Sequence, residues 1–424
     1  MADVLKVLMM GGQRAGKTSV LAGLLATMTN GPVKDVVEVN NTTTSSEASQ
    51  KLTKSIETLK WHLLTSMDKT FLIDDGKTFA FDDYTLQFRI PNTDSRMDIV
   101  FTDANGEFFD MGRLHDTDIR EKVREYDVFV VAIDTPFLME AVNPGNKFCT
   151  EAINNSYNHI NDIYTFLTEL DDKDGADAKL VVFAPLKCEK WVKEGRVDEV
   201  VSRVKQVYST TIHALSKYRN IEIDIMPIQT VGNIVFSEQT KALTCMVDET
   251  VRPCAVINNK KQVRFGNGDV EDLDLSRHRI QEDGSAVIRE GSSLMKPNSW
   301  FTTVGKEYQP HNCDQLAYYI LQFYLAKVMF AKKVEELEQN KKRWKWRKWL
   351  AVVLSYGMGG LLGFNWLIAA VIAYFSSKYL EKKFGTITLE EMLALTKKLQ
   401  MGGYIKKNTD GIETIKESKL YVFK

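Results

Sequence analysis

The sequence predicts a doubly wound α/β domain, in which a mostly parallel sheet carries helices on both faces. Residues 4–10 form an apolar strand pattern that is followed at once by a glycine-rich turn and by helical apolar spacing. Two later runs, 128–134 and 180–184, are almost entirely apolar, as expected for strands that are buried on both faces. Strand and helix patterns alternate over residues 1–232, so we expect a ligand at the carboxyl ends of the strands.

The composition sets the broad class of the protein. Its 424 residues allow two or three domains, and a hydrophobic content of 44% is enough to build cores. The formal net charge of −1 gives no global attraction to nucleic acid, so no nucleic-acid partner is expected. The five cysteines have neither C-x-x-C nor zinc-finger spacing, which argues against a disulfide framework. The chain enters its first strand almost at once, so we expect no signal peptide and a reducing cytoplasm.

Residues 11–18 fit the phosphate-binding loop pattern G-x-x-x-x-G-K-[ST] without a mismatch. Glycines let the backbone curl so that its N–H groups converge on phosphate oxygens, and the following helix directs its positive end towards them. We predict that Lys17 binds the outer phosphates and that the Thr18 hydroxyl ligates Mg²⁺. The alternative is a glycine-rich turn that binds no ligand. The predicted nucleotide contacts of this loop are Gly11, Gly12, Gln13, Arg14, Ala15, Gly16, Lys17, Thr18 and Ser19.

A D-x-x-G motif follows the apolar strand pattern of residues 97–102 and forms a second nucleotide signature. We predict that Asp103 holds Mg²⁺ through water and that the Gly106 N–H contacts the γ-phosphate. The motif alone is usually only a turn, and its place downstream of a phosphate-binding loop gives it weight.

Several further elements are predicted around these motifs. Apolar spacing predicts helices at 18–28, 47–65, 116–126, 150–170 and 197–215. Strands at 69–75 and 84–90 are expected to form a hairpin around Gly76, and another strand covers residues 221–228.

The C-terminal region combines a basic, aromatic segment with a long uncharged one. Residues 341–348 hold six basic residues and two tryptophans, and no charged residue occurs from Trp349 to Ser377. That run is longer than the ~20 residues that cross a bilayer, and its flank suits an anionic cytoplasmic leaflet. We therefore predict contact with membrane lipid at the cytoplasmic face of the inner membrane. A single span and a re-entrant hairpin both stay open, as does a buried hairpin of a soluble bundle.

The motifs resemble those of the Ras-like, translation-factor class of P-loop GTPases, which implies GTP or GDP and Mg²⁺ as ligands. In that class the loop after the strand at 180–184 carries N-K-x-D, whose lysine packs over the base and whose aspartate accepts the N–H groups of guanine. Here Lys187 matches, whereas Glu189 replaces the aspartate and Leu186 replaces the asparagine. Glutamate offers the same pair of acceptor oxygens, but an ordinary charged loop is the alternative. Thr230 falls where the last base-contacting loop is expected.

The same resemblance implies roles for two further residues. A threonine of the polar loop 40–46, for which Thr44 is the candidate, ligates Mg²⁺ once the γ-phosphate is present. The alternative for this loop is a linker that caps the next helix. Glu107 occupies the place of a water-orienting glutamine, which makes it a candidate catalytic residue, and its alternative role is to stabilise the loop.

Two narrower resemblances bear on partners. The stretches 103–107, 185–189 and 308–315 resemble bacterial double-GTPase-type proteins of prokaryotic conflict and defence systems, over roughly residues 1–330. A loop of the form G-x-x-R-x-G-K-[ST] is similar to that of guanylate-binding proteins and atlastins, which implies that Arg14 acts as an internal arginine finger when two domains meet. The alternative is an arginine that faces solvent. A homodimer or a partner protein of the same system is therefore expected.

These observations give a domain plan and a hypothesis of function. The plan is a GTPase core at 1–234, an insertion of unknown role at 235–310, a closing helix at 311–340, a membrane segment with its basic flank at 341–380, and a small tail unit at 381–424. The hypothesis is a membrane-attached regulatory GTPase, with Lys17, Arg14 and Glu107 as catalytic candidates. The alternatives are a GTP-binding scaffold with little turnover, a membrane-remodelling GTPase of the dynamin or guanylate-binding type, and an ATP-driven motor.

Overall fold

A computed structural model describes residues 4–30, 38–73, 82–89, 96–104, 125–168, 179–217, 221–283, 296–317, 319–321 and 323. The strands are β1 Leu5–Met10, β2 Glu38–Asn41, β3 Thr70–Phe71, β4 Asp82–Arg89, β5 Arg96–Asp103, β6 Val128–Asp134, β7 Lys179–Leu186, β8 Ile221–Ile225, β9 Ile234–Thr240, β10 Leu243–Val247, β11 Thr250–Ile257, β12 Gln262–Phe265, β13 Val270–Asp272, β14 Arg279–Glu282 and β15 Asn298–Thr303. The helices are α1 Lys17–Asn30, α2 Ser46–Thr65, α3 Thr135–Glu140, α4 Glu151–Tyr157, α5 Ile160–Thr168, α6 Glu189–Lys193, α7 Val197–Val207 and α8 Ser209–Leu215. A last helix begins at residue 313.

Seven of these strands form one sheet in the order β2-β4-β5-β1-β6-β7-β8. The five strands from β5 to β8 in this order are parallel, whereas β4 and β2 are added antiparallel at one edge. β1 lies between β5 and β6. The strands that follow β1 first, namely β2, β4 and β5, lie on one side of it, and the later strands β6 to β8 lie on the other side. The carboxyl end of β1 is therefore the topological switch point at which ligands of such sheets bind.

Both faces of this sheet are covered by helices. Val7 and Met9 of β1 belong to one core cluster with residues of α1, α2 and the last helix. Leu8 and Met10 belong to a second cluster with residues of α5, α7 and α8. This alternation follows from the two-residue period of a strand, and it confirms the predicted α/β architecture with helices on both faces.

The last helix packs back on the sheet, as predicted for the residues that are described. Leu316 and Ile320 are fully buried in the cluster that contains Val7. The contact with α1 is close, because a Cβ placed on Gly23 would lie 2.7 Å from the Sγ of Cys313. A glycine in α1 thus allows the two helices to approach.

The described residues between 234 and 303, which are 234–283 and 296–303, form mainly β structure, and the strands β9 to β15 are called the inserted β-region below. β10 to β14 make an antiparallel sheet in the order β13-β12-β11-β10-β14, with a small core around Cys254 and Phe265. The β-branched and aromatic runs at 255–257 and 262–265 lie in β11 and β12. β9 and β15 pair with each other, and β15 also pairs with β3.

Some local predictions were wrong. β3 does not form a hairpin with β4, because β3 pairs with β15 far along the chain and β4 pairs with β2 and β5. The helix predicted at 150–170 is interrupted at His159, which has a φ of 48°, and the helix predicted at 197–215 is interrupted at Tyr208. Asn40 and Asn41 of the predicted loop belong to edge strand β2. Each of these outcomes depends on tertiary pairing or on a local break that apolar spacing does not reveal.

Some predicted segments fall outside the described residues. They are the helix at 116–126 apart from its last two residues, the closing helix beyond residue 323, the membrane segment at 341–380 and the tail unit at 381–424. Among the residues that the structure describes, no helix combines the length and the apolar character that a membrane crossing requires.

Candidate functional site

The predicted phosphate-binding loop joins β1 to α1 at the switch point of the sheet. Two of its glycines have backbone conformations that L side chains rarely adopt, with φ of 133° at Gly11 and 107° at Gly16. A Cβ on Gly11 would also lie 2.3 Å from the carbonyl oxygen of Ala132 in β6. The loop therefore needs glycine both for its curl and for its close approach to the neighbouring strand.

Lys17 opens α1 and turns back over the loop. Its ammonium group donates hydrogen bonds of 3.0 Å to the carbonyl oxygens of Gly11 and Gly12, and its side chain is only 6% exposed. The same nitrogen lies 3.9 Å from Oδ1 of Asp103. A buried positive charge is thus held at the amino end of a helix, which is where phosphate groups bind.

Thr18 and Asp103 form the second part of the site. The Thr18 hydroxyl donates a hydrogen bond of 2.6 Å to Oδ2 of Asp103, and that carboxylate is fully buried at the end of β5. Within the described part of the chain, Oδ1 of Asp103 has no hydrogen-bond partner. Burial raises the pKa of Asp103, and the Lys17 charge and the Thr18 hydrogen bond act in the opposite direction.

This donor set fits a magnesium ion. Mg²⁺ prefers oxygen ligands and is usually held by one or two protein groups, with water and substrate phosphates completing its octahedron. The Thr18 hydroxyl lies beside the buried Oδ1 of Asp103, which accepts no hydrogen bond from the described residues. These two oxygens meet this requirement. In the described ranges no three His, Cys, Asp or Glu side chains come together as a metal site.

Lys187 joins three parts of the site. Its ammonium group lies 2.8 Å from the Asp134 carboxylate at the end of β6, and it donates a hydrogen bond to the Arg14 carbonyl of the phosphate-binding loop. Asp134 is almost completely buried, and its side chain also accepts the Phe137 N–H at the start of α3. Lys187 thus ties the carboxyl ends of β6 and β7 to the loop after β1.

Glu189 is the first residue of α6 and is 2% exposed. Its Oε1 accepts a hydrogen bond of 3.2 Å from the Val231 N–H. Burial raises the pKa of Glu189, whereas backbone N–H groups, including those of residues 230–232, oppose that rise. Glu189 therefore connects the loop after β7 to the loop after β8, where Thr230 is also buried.

A cavity of about 220 Å³ brings many of the predicted residues together. Its walls include Gln13, Arg14, Gly16, Ser19, Lys187, Glu189 and Thr230. Arg14 is exposed and has a φ of 58°, so its side chain leaves the loop from a left-handed backbone position. Predicted residues from three separate loops thus meet around one space.

Other predicted residues lie elsewhere. Thr44 is exposed in the turn before α2 and does not line the cavity, while the neighbouring Thr43 accepts the Thr85 N–H at the edge of the sheet. Ser45 caps α2 by accepting the Ala48 N–H at 3.2 Å, as in the linker alternative. Gly106 and Glu107 lie outside the described residues. Gly12 and Ala15 are buried within the phosphate-binding loop.

Some residues of the site were not identified from the sequence. Tyr157 at the end of α4 donates a hydrogen bond of 2.5 Å to the Gln13 carbonyl, and Lys296 contacts the Tyr157 hydroxyl at 2.9 Å. The Lys296 ammonium also lies 4.0 Å from the centre of the Tyr157 ring. Asp134 could have been found, because it ends an apolar strand of a parallel sheet. No sequence pattern marks Tyr157 or Lys296 as part of the site, because tertiary packing places them there.

Comparisons with known proteins found no matching family model and no matching curated protein. Among solved structures, the chain is similar to the signal recognition particle receptor SRb-GTP/SRX complex from Chaetomium thermophilum, at 13% identity, covering 55% of this chain and 94% of that chain, with a TM-score of 0.30. It is also similar to the S. cerevisiae Ski7 GTPase-like domain bound to GTP, at 9% identity over 72% of each chain, with a TM-score of 0.28. A third is sup35 complexed with GDP, at 9% identity over 72% and 68%, with a TM-score of 0.25.

Similarity at this level carries no argument about function. What the chain itself presents is a mostly parallel α/β sheet with a glycine-rich loop, a buried lysine and a hydroxyl–carboxylate pair at its switch point.

Proposed function

We propose that this chain binds GTP together with Mg²⁺ and hydrolyses it as a conformational switch. The observation that supports this most strongly is the group formed by Lys17, Thr18 and Asp103. A buried ammonium group, a hydroxyl and a carboxylate oxygen without a donor in the described residues meet where a sheet of this topology binds its ligand. Anionic phosphates and a hard cation together match this combination of charges.

The roles follow from the chemistry of phosphoryl transfer. Backbone N–H groups of the glycine-rich loop and the Lys17 charge bind the phosphates, and Thr18 and Asp103 hold the metal ion. Mg²⁺, when bound, neutralises charge on the β- and γ-phosphates. Water forms a new bond to the γ-phosphorus while the bond to the β–γ bridging oxygen breaks. The electron pair of that bond stays on GDP, and the released phosphate and the solvent take up the water's protons.

Arg14 is the proposed source of additional positive charge. It lines the cavity from the phosphate-binding loop, and a guanidinium that moves onto the transferring phosphoryl group stabilises the transition state. Contact with a second copy or with a partner protein would place it there. Glu107 remains the predicted water-orienting residue, and it lies outside the described residues.

Lys187, Glu189 and Thr230 are proposed to form the base side of the site. All three line the same cavity as Arg14, and they come from the loops after β7 and β8. The aliphatic part of Lys187 can pack on a purine, and the carboxylate of Glu189 can accept N–H groups of guanine. This arrangement supports GTP rather than ATP as the ligand.

The regulatory part of the proposal rests on the sequence. The segment at 341–380 would attach the chain to the cytoplasmic face of a membrane, and GTP binding would be transmitted to it through residues 316–348. GTP would order the loops at 40–46 and 104–112. The resemblance to defence-system GTPases suggests a role in conflict with phage.

A GTP-binding scaffold with little turnover is the second candidate. It is favoured by the two bulky side chains, Gln13 and Arg14, that line the cavity from the phosphate-binding loop itself. Such a protein would bind GTP tightly and recruit partners in that state. Turnover, and not binding, distinguishes the two candidates.

The first test measures hydrolysis of GTP and of ATP by the full chain over a range of protein concentrations, with Lys17→Ala as the blank. GTP-specific turnover that rises with concentration is the expected result. Tight GTP binding without turnover would favour the scaffold, and a preference for ATP would contradict the proposed base recognition. Flotation with vesicles that contain or lack anionic lipid tests the membrane part, which would fail if the chain stayed unbound to both.

A further inference from the structure

We propose that the inserted β-region supplies a nucleobase-recognising side chain, Asn298, to the site built by the sheet. This inference rests on the proposed nucleotide binding and deepens it, because it assigns part of the base specificity to a residue that no motif indicates. The first observation is position. Asn298 lines the same cavity as Lys187 and Glu189, together with Phe301 from the same strand.

Asn298 is held on a strand that is firmly placed. It begins β15, which pairs with β9 from Asn298 opposite Thr240 to Thr303 opposite Ile234, with a register shift between Trp300 and Phe301. Next to it, the buried Trp300 donates an indole hydrogen bond of 2.8 Å to the Thr240 hydroxyl. A residue on a paired strand is positioned more precisely than one on a loop, which is what base recognition requires.

The β-region is also tied to the loops that carry the other base-side residues. β9 begins directly after the loop that contains Thr230 and Val231, and Glu189 accepts the Val231 N–H. On the other edge, Lys187 lies 5.8 Å from the ring centre of Phe301 in β15. The strand that carries Asn298 therefore lies beside the loops that carry Lys187 and Glu189, and all three residues line one cavity.

The amide of Asn298 requires a partner. Its Nδ2 is buried and has no hydrogen-bond partner among the residues that the structure describes. Removing such a donor from water without replacing its hydrogen bond costs free energy, so an unsatisfied group of this kind in a cavity needs an explanation. Because the nitrogen is itself buried, an acceptor on a bound base would satisfy it once the amide turns towards the cavity.

The loop after β7 does not provide this amide. The sequence places Leu186 where the N-K-x-D pattern has asparagine, and Leu186 is fully buried in the core below the sheet edge. Its side chain offers no polar atom to the cavity. Asn298 would replace the missing amide from a different part of the chain.

With its nitrogen as the group that faces the base, Asn298 favours guanine, whereas the same amide turned by 180° would present its oxygen and pair with adenine. Guanine presents two neighbouring acceptors, O6 and N7, whereas adenine presents an amino group beside N7. When the Asn298 nitrogen is directed at position 6 of the ring, it donates a hydrogen bond to O6 of guanine. With adenine, the amino group at that position would face the amide nitrogen, so two donors would meet without a hydrogen bond. Glu189 would act separately on the N1 and N2 side of the base.

The experiment measures binding of Mg²⁺–GDP by calorimetry to the full chain, to Asn298→Ala and to Thr302→Ala. Thr302 lies on the same strand and does not line the cavity, so it is the matched control. Inorganic tripolyphosphate, which has no base, reports on the phosphate loop. The diphosphate of 6-thioguanosine, in which the weak acceptor sulfur replaces O6 while the N1–H is kept, and 7-deaza-GDP, which lacks N7, report on the acceptor edge.

The expected result is that Asn298→Ala weakens GDP binding roughly fivefold to tenfold, which is the net contribution of one hydrogen bond, and leaves tripolyphosphate binding unchanged. The wild type should bind the analogue that lacks the contacted acceptor more weakly than GDP, by a similar factor. Asn298→Ala should bind that analogue and GDP with the same affinity. Thr302→Ala should bind like the wild type.

Two outcomes would overturn the inference. One is equal GDP affinity of Asn298→Ala and wild type, and the other is an equal loss for GDP and tripolyphosphate, which would indicate a structural role. Asn298→Ser, which is smaller but polar, serves if the alanine variant does not fold. If the wild type binds neither GDP nor tripolyphosphate, the proposed nucleotide binding itself fails, which separates the two hypotheses.

Discussion

Thr18 Oγ1 donates a hydrogen bond of 2.6 Å to Asp103, which joins the start of α1 to the end of β5. The pair connects two motifs that lie 85 residues apart in the chain. The other oxygen of Asp103 is buried and accepts no hydrogen bond from the described residues, and the Lys17 ammonium lies 3.9 Å from it, so the carboxylate keeps an acceptor position beside a buried positive charge. The arrangement explains how an otherwise costly buried charge can be retained for ligand binding.

Asp103→Asn should remove the Mg²⁺ dependence of nucleotide binding. The amide keeps the shape and can still accept the Thr18 hydrogen bond, but it has no charge to hold a cation. We expect GTP affinity in Mg²⁺ to fall roughly 10- to 100-fold, towards the value in EDTA. Titration with GTP in both buffers checks this, with Asp198→Asn at the exposed start of α7 as the control. An unchanged ratio between the two buffers would argue against the metal site.

Replacing Arg14 should affect turnover more than binding. Its φ of 58° favours glycine, so Arg14→Gly removes the guanidinium and relieves the backbone strain at the same time. If Arg14 stabilises the transition state, single-turnover hydrolysis should fall by roughly 10³ at high protein concentration, with little change in GTP affinity. Arg14→Lys, which keeps the charge but not the planar fork, should retain only part of the rate. Equal rates for the wild type and both variants at every concentration would exclude this role.

Lys187→Met should destabilise the fold through Asp134. The lysine lies 2.8 Å from a carboxylate whose side chain is 2% exposed, so its removal leaves a buried charge without its partner. The free energy of unfolding should fall by roughly 3 kcal/mol, a typical cost for breaking a buried pair. Adding Asp134→Asn should restore most of that loss, which chemical denaturation of the two variants will show. If the double variant is as unstable as Lys187→Met, packing of the lysine stem, and not the ion pair, accounts for the effect.

The parts of the fold that depend on local patterns could be predicted from the sequence. The strand before the glycine-rich loop, the helix after it and the apolar strands β6 and β7 were predicted close to their observed bounds. Their periodicity is strong because they are buried within or against the central sheet. β3 and β15 could not be paired in advance, because residues about 230 positions apart meet there and neither strand carries a distinctive pattern.

The same distinction applies to the candidate site. Lys17, Thr18 and Asp103 were identified because their motifs encode spacing along the chain, and the structure brings them together. Asn298 and Lys296 were missed because they reach the cavity through the inserted β-region. Glu189 was assigned only to the base, but its bond to Val231 also holds two loops together. Motifs thus indicate the candidate phosphate-binding residues, and tertiary structure is needed to find those that line the rest of the cavity.

Asp224 should make stability depend on pH. It lies in β8, where burial raises its pKa to about 7, and the hydrogen bond from the Ile225 N–H acts in the opposite direction. Since this value lies above the pKa of about 3.9 of an unfolded aspartate, the folded state binds more protons between the two values. The contribution of Asp224 to the free energy of unfolding is therefore greatest below about pH 4 and falls as the pH rises to about 7.

Asp224→Asn mimics the protonated form and should remove this dependence. We expect the variant to gain stability relative to the wild type by about 3 kcal/mol as the pH rises from about 5 to 8, because that range covers about two of the three units between the two pKa values. Urea unfolding at several pH values measures the difference, and Asp198→Asn again serves as the exposed control. A difference between the Asp224 variant and the wild type that stays constant with pH would mean that Asp224 is ionised to the same extent in the folded and unfolded chain. In that case the cost of its burial would have to be offset by contacts other than the Ile225 hydrogen bond.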